Sequence, residues 1–472
     1  MLYRKLIENH LDQTEWIITD GSRYFTYLQL HQQAMHYREW LLSKGLVRGD
    51  RVVIVDIDPI YTLLILLACI AEGFLFVPIN PQTDKWTRTE ILRDCAPKIV
   101  IEDKMMMHGI CSCSEYNRVL CPGDTPAYLI YTSGTEGLPK GVVAQQDQIS
   151  FCCAAINQRL QNTKADRILC TLPLSFDYGL YQIFLSLLSG AKLFFNSGNN
   201  LQRIPFLLHQ WRITALPLIP SAMNLLLYAR LLGEKDVFFL RYISFTGETL
   251  PIELLHQVKK LLPHTILVAM YGMTECKRVS ITPLDREDKV FSGSCGIPLD
   301  GVSVWLQNPD INTGVGELVV EGPNVMSYWN VSDKESRKFA EDALTGKRQL
   351  FTGDFFCIDE EGFLYFCGRK NGLLKICGHR ISSVWLENRA KTIMGILEVC
   401  VLGCADVLTG EKAVFFVYLD QHTQLQALYQ MIKELPPFLH NSLIYDWRAP
   451  LPKNINGKID RKVLENFIRE NF

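Results

Sequence analysis

The chain has almost no excess of either charge. Its 472 residues carry 48 lysines and arginines against 50 aspartates and glutamates, a formal net charge of -2. That balance leaves no electrostatic footprint for nucleic acid, and no run of like charge marks a basic arm or an acidic tail. Long hydrophobic runs are also missing. The most apolar stretch, residues 61–78 (YTLLILLACIAEGFLFVP), is broken by Glu72 and Gly73, short of the ~18–20 apolar residues of a spanning helix. It reads as a buried helix, a glycine turn and a buried strand. The N-terminal MLYRKLIENHLDQTEW lacks the apolar segment of a secretory signal. The 15 cysteines are odd in number and scattered, with no zinc-type CxxC spacing. They read as small buried hydrophobes of a reducing compartment. The expectation is a cytoplasmic protein with no nucleic-acid partner and no membrane span.

The length suggests two to four domains or subdomains. Strand-length apolar runs alternate with helical patterns: RVVIVD (51–56), FLFVP (74–78), KIVIED (98–103) and AYLIYT (127–132), the last followed by a glycine loop and a further helix. AKLFF (191–195), RITALPLIP (212–220), YISFTG (242–247) and TILVAMYG (265–272) continue the series. This is the βα rhythm of mostly parallel sheets with helices on their faces. From about Gly301 the rhythm changes to strands joined by short turns, as in a small barrel-like β subdomain. After Ser383 the pattern becomes a small α+β domain. The predicted class is α/β, with a core over 1–370 and a C-terminal domain over 371–472, divided where glycines flank polar residues in GRKNG (368–372).

The strongest local signal is YTSGTEGLPKG, residues 131–141. Its glycines let backbone N–H groups turn inward around an anion, its hydroxyls add donors, and Lys140 adds a point charge. A polyphosphate is the natural ligand. The P-loop pattern fails on two positions, because Pro139 precedes the lysine and Gly141 follows it.

This loop resembles the phosphate loop of the adenylate-forming superfamily, which includes acyl-CoA synthetases, the adenylation domains of nonribosomal peptide and polyketide pathways, and firefly luciferase. Further motifs follow in that superfamily's order: YGMTE (271–275), GELVVEG (316–322), FTGD (351–354), Gly368-Arg369 with Lys375 and GHR (378–380), and LPKNINGK (451–458). The resemblance implies a large N-terminal adenylation core and a small mobile C-terminal domain. It implies ATP-dependent conversion of a carboxylic acid to an acyl-adenylate, and then transfer to a thiol.

By that resemblance Lys458 bridges the carboxylate and the α-phosphate. Thr132, Ser133, Gly134, Thr135 and Lys140 hold the β- and γ-phosphates, and Glu275 with Thr132 holds Mg²⁺. Tyr271 and the Gly247-Glu248 turn wall the adenine end, Gly272 and Thr274 belong to the nucleotide site, and Asp354 and Arg369 meet the ribose or phosphate oxygens. Glu275 could instead cap a helix, and Asp354 and Arg369 could be a loop ion pair. Two positions depart from the pattern: Glu136 in the loop, expected to point outward, and Asn371 at the hinge about which the C-terminal domain would rotate.

By the same resemblance the acyl pocket is expected at Asp177, Tyr178, Tyr181, Pro217, Ser244, Thr246, Met270 and Arg278. Asp177 stands where amino-acid-activating members hold the α-ammonium group, and it could equally cap the helix that starts there. Lys277 and Arg278 could meet a second carboxylate, an acceptor phosphate, or only Asp177. The first expectation is an adenylation enzyme for an amino acid or small acid, loading the phosphopantetheine thiol of a carrier protein supplied in trans. The alternative is a ligase that uses free CoA and an amine-free acid.

Overall fold

Asp58, Pro59 and Gly73 set the ends of the first long apolar helix, Pro59–Glu72. The Asp58 carboxylate accepts from the Ile60 and Tyr61 N–H groups, and proline takes the first turn, where no N–H is needed. Gly73 ends the helix at φ +87°, a left-handed conformation that suits glycine. The helix is buried from Thr62 through Ala71, so most of its apolar side chains contribute about 1.5–3 kcal/mol each. Strand Leu75–Ile79 comes directly after it. The 61–78 stretch is thus the helix, glycine turn and strand expected from the sequence.

This computed structural model describes residues 2–55, 58–103, 121–133, 139–196, 200–233, 238–248, 250–311, 313–331, 338–342, 345–369, 373–391, 393–420, 425–453 and 459–471. Two compact units emerge: Met1–Ser303 with Val320–Leu350, and Val304–Val319 with Phe351–Phe472. The sequence division at 370/371 cuts residues 351–369 away from the C-terminal residues, whereas compactness groups them together. No helix among the described residues is long and apolar enough to cross a membrane.

The first unit is a mixed α/β body. Among the described residues one sheet has nine strands, in the order Ile297–Pro298, Ser280–Ile281, Ile266–Tyr271, Tyr242–Phe245, Ala215–Leu218, Arg167–Cys170, Lys192–Phe195, Trp16–Thr19, Tyr24–Thr26. Its centre is parallel, with Pro217 opposite Ser244. A second sheet runs Ser327–Tyr328, Pro139–Gln145, Pro126–Ser133, Leu75–Ile79, Arg51–Val55, Ile99–Ile101. One element differs from the sequence reading. The glycine loop leads first into strand Pro139–Gln145, antiparallel to Pro126–Ser133, and only then into helix Gln146–Leu160. The Val142-Val143-Ala144 run is buried and completes a ladder, which outweighs the breaking effect of Pro139 and Gly141 at its start.

In the second unit, residues 354–358 pair antiparallel with Leu364–Arg369. A further sheet holds His379–Ser382, Leu373–Ile376, Gly410–Leu419, Ile396–Asp406 and Leu443–Asp446. Helices Ser383–Lys391 and Gln426–Glu434 pack on it through Leu386, Leu428 and Ile432. Most described cysteines are free and buried, with Cys377 exposed.

Candidate active site

The described residues of the 131–141 stretch lie on two paired antiparallel strands. Thr132 lies opposite Lys140 and Ser133 opposite Pro139 in the ladder. Thr132 Oγ1 donates to the Lys140 carbonyl at 3.4 Å. The Tyr131 hydroxyl is tied to Asp94 Oδ2 at 2.6 Å. Gly134, Thr135 and Glu136 lie outside the described residues. The Lys140 ammonium stands 5.9 Å from the centroid of the Tyr328 ring.

Tyr328 connects this hairpin to the second motif. Its strand pairs with the hairpin, Tyr328 opposite Val142, and its hydroxyl donates to Glu275 Oε1 at 2.6 Å. Lys338 Nζ donates to the same oxygen at 3.1 Å. Burial and then the Glu275 charge push the Tyr328 phenol well above its usual range, so it stays a donor. Lys140, Tyr328 and Glu275 therefore form one neighbourhood. No described helix follows Glu275 closely (the next begins at Glu287), so it caps none. Tyr328 and Lys338 have no local sequence signal, since they lie 53 and 63 residues from Glu275.

The turn carrying Glu275 is closed tightly. Val279 N–H donates to the Tyr271 carbonyl at 3.0 Å. Asn324 Nδ2 donates to the carbonyls of Cys276 and Arg278 at 2.9 and 3.1 Å. A Cβ on Gly272 would stand 2.1 Å from the Lys277 carbonyl oxygen, so only glycine fits. Lys277 adopts φ +56°, uncommon for a side-chain-bearing residue. Tyr271 and Thr274 are half-buried. Gly247 sits at φ +87° beside Phe176 and Ile219. Glu248 accepts from Ser221 N–H at 2.9 Å and Ser221 Oγ at 3.0 Å, at the first turn of helix Pro220–Tyr228.

The predicted acyl-pocket residues come together. Tyr178, Tyr181, Ser244, Met270, Lys277 and Arg278 line one small cavity of about 10 Å³. Thr246 joins them through Arg278 Nη1, which donates to its Oγ1 at 2.6 Å. Pro217 is placed beside Ser244 by strand register. The Tyr178 hydroxyl donates to the Ser244 carbonyl at 2.9 Å and lies 2.7 Å from Ser244 Oγ. Burial pushes that phenol up to about 12.

Asp177 is the first residue of helix Asp177–Ser189, not its cap, and that cap position makes no side-chain hydrogen bond. This corrects the helix-cap alternative. Instead Lys277 Nζ donates to Asp177 Oδ2 at 3.0 Å and stands 4.0 Å over the Tyr181 ring. Of the three partners open to the two cations, Lys277 takes Asp177. Arg278 takes no carboxylate among the described residues.

In the second unit Asp354 is buried and lies opposite Arg369 in the ladder. Arg369 Nε donates to Asp354 Oδ1 at 3.1 Å, although the arginine side chain is 74% exposed. They form an ion pair, which leaves an exposed guanidinium able to reorient. Gly353 turns at φ +74°, its N–H held by Glu317 Oε1 at 3.0 Å. Asn371 and Lys458 lie outside the described residues. Lys453 and Ile459, on either side of the NGK segment, form an antiparallel bridge.

Magnesium commonly takes one or two carboxylates and completes its shell with phosphate and water oxygens. Glu275 fits that role: it is buried, and both described hydrogen bonds fall on Oε1, which leaves Oε2 with acceptor capacity. No cluster of three or more potential protein ligands occurs among the described residues.

Residues 7–121 and 111–329 match the family described as AMP-binding enzyme. A plipastatin synthase polypeptide of Bacillus subtilis (strain 168) is 27% identical over 473 residues, 95% of this chain. The chain spans only 13% of that relative's length. Malonate--CoA ligase of Arabidopsis thaliana is 27% identical over 380 residues, covering 72% of this chain and 60% of the ligase. The crystal structure of apo MatB from Rhodopseudomonas palustris shares the fold, with a TM-score of 0.85, 23% identity and 99% of both chains covered.

Proposed function

The chain belongs to the AMP-binding enzyme family of AMP-forming ligases, and from that premise we propose that it activates a small carboxylic acid with ATP and passes the acyl group to a phosphopantetheine thiol. A carboxylate is a poor acyl donor because its leaving group would be oxide. In the proposed reaction a carboxylate oxygen attacks the α-phosphorus, pyrophosphate leaves, and a mixed anhydride with AMP forms. The thiol sulfur then attacks the acyl carbon, AMP leaves, and a thioester results. Two anions must be brought together, so positioning and charge stabilisation dominate the first step.

The observation that carries the reading is the Lys140–Tyr328–Glu275 neighbourhood. A lysine at a glycine-rich hairpin and a buried carboxylate are held together by one tyrosine, a pairing suited to a triphosphate and its magnesium. Mg²⁺ held by Glu275, with Thr132 nearby in the motif, would offset phosphate charge. Lys140 supplies a second positive charge. Asp354 accepts from ribose hydroxyls once Arg369 turns to the phosphates. Lys458, on a C-terminal domain that rotates about the 368–372 hinge, bridges the carboxylate and α-phosphate and is withdrawn for thiol attack.

The pocket favours an amine-free acid, because Lys277 already neutralises the Asp177 carboxylate that would otherwise attract a substrate ammonium. Malonate is such an acid, and the similarity to a malonate–CoA ligase supports free CoA as acceptor. The similarity to plipastatin synthase supports the second reading, an amino acid loaded onto a carrier protein. ATP–pyrophosphate exchange across amine-free acids and amino acids tests the first step. Following the activated acid onto CoA or onto a carrier protein then separates the acceptors. Absence of exchange with every acid would remove the proposal.

A further inference from the structure

Arg278 is 96% buried, its relative exposure being 4%. Its Nη1 donates to Thr246, but its Nε has no hydrogen-bond partner. The guanidinium lies 5.3 Å from the centroid of the Tyr178 ring, a weak attraction compared with a counter-ion. No described carboxylate pairs with it. Among the described residues, the acid at this pocket is Asp177, and Lys277 occupies it. The pocket thus holds two cations and one carboxylate, an uncompensated positive charge out of water. Burying a charge that way is costly unless an anion completes the site.

We propose that the acid activated here is a short, amine-free dicarboxylic acid whose second carboxylate is held by Arg278. The proposal rests on the adenylation reading above and adds the substrate class. The reacting carboxylate cannot fill this role alone, because its charge disappears when it becomes the mixed anhydride and Arg278 would again be unpaired. A second carboxylate keeps the guanidinium neutralised through adenylation and thiol attack. Its planar fork suits bidentate recognition, with Nε as one free donor. Asp177 then neutralises Lys277 and prevents a surplus of two charges. The cavity, at about 10 Å³, is room for roughly one water. Its other walls include Tyr178, Tyr181, Gln182, Tyr242 and Met270, so admission relies on Arg278 and Lys277 shifting, and the acid must be short.

The test is ATP–pyrophosphate exchange by the full chain with malonate, succinate, propionate, butyrate, alanine, phenylalanine and benzoate. A diacid should exceed its matched monoacid by on the order of 100-fold in kcat/KM, the loss associated with removing one partner of a buried charge pair. Arg278→Leu should erase that ratio, mainly through the KM for the diacid, and Arg278→Lys should restore part of it. Exchange by the wild type with a monoacid or amino acid at least as good as with either diacid overturns the substrate class and leaves adenylation standing. No exchange with any acid overturns adenylation and the substrate class together. The wild-type comparison needs no variant, so a misfolded Arg278→Leu does not decide the matter.

Discussion

Lys277 Nζ lies 3.0 Å from Asp177 Oδ2, with the lysine side chain 1% and the aspartate side chain 11% exposed. Two charges this deep stabilise one another mainly by avoiding the cost of standing alone. Asp177→Leu or Lys277→Met alone is therefore expected to lower stability by about 3–5 kcal/mol. The double variant should recover most of that loss. Urea unfolding of all four proteins measures the coupling, and purely additive losses would show that the two side chains act independently.

The same lysine sets a pH dependence. Burial pulls its ammonium down to about 8, Asp177 opposes this, and Arg278 adds to the depression. An unfolded lysine titrates near 10.4. Between about pH 8 and pH 10.4 the unfolded chain holds more protons at this site, so the site's contribution to stability rises with pH there and is flat below. Buried tyrosines act in the opposite direction, since Tyr128 and Tyr181 are pushed upward by burial. The comparison is therefore with the Asp177→Leu, Lys277→Met double variant. The stability difference between the two proteins should shift towards the wild type from pH 7.5 to about pH 9.5, and a constant difference would contradict the assignment.

Glu275→Gln should raise the magnesium concentration that gives half-maximal exchange. Tyr328→Phe removes a hydrogen bond to that carboxylate and should shift the same midpoint by about 10- to 100-fold, in the range of lost outer partners of metal ligands. A fall in exchange rate with no change in the magnesium midpoint would assign both residues to the fold.

Lys458→Ala should abolish acyl-adenylate formation while a supplied acyl-adenylate is still transferred to the thiol. Exchange and single-turnover transfer measure the two steps separately. Full exchange activity in the variant would remove Lys458 from the first step.

Much of this arrangement was legible because it is written locally. Residues 61–78 announce the helix, turn and strand that form there. Strand Pro139–Gln145 was harder to see, because a proline and a glycine at its start imitate a continuing loop. Tyr328 and Lys338 reach Glu275 only through folding, and no spacing rule spans 53 or 63 residues. Asp177 stands out in the sequence as an ammonium holder or a helix cap, but its pairing with Lys277 is one of three options for that cation, because direction within a pocket is a tertiary property. The resemblance puts Glu248 at the adenine wall, while its contacts to Ser221, which tie down a helix start, come only with the fold.

The Gly272–Arg278 turn has a consequence for divergence and for engineering. With a backbone oxygen 2.1 Å from where a Cβ on Gly272 would sit, the turn has no room for a side chain at that position. Glu275 and Arg278 stand three positions apart on it, so under the proposed roles a change to the backbone here would move the metal-facing and the acid-facing group together. Retuning acid preference without disturbing phosphate chemistry is easier from the opposite wall, at Tyr178, Ser244 or Thr246. Transplanting selectivity from another enzyme calls for exchanging the turn whole, together with the Asn324 that ties it.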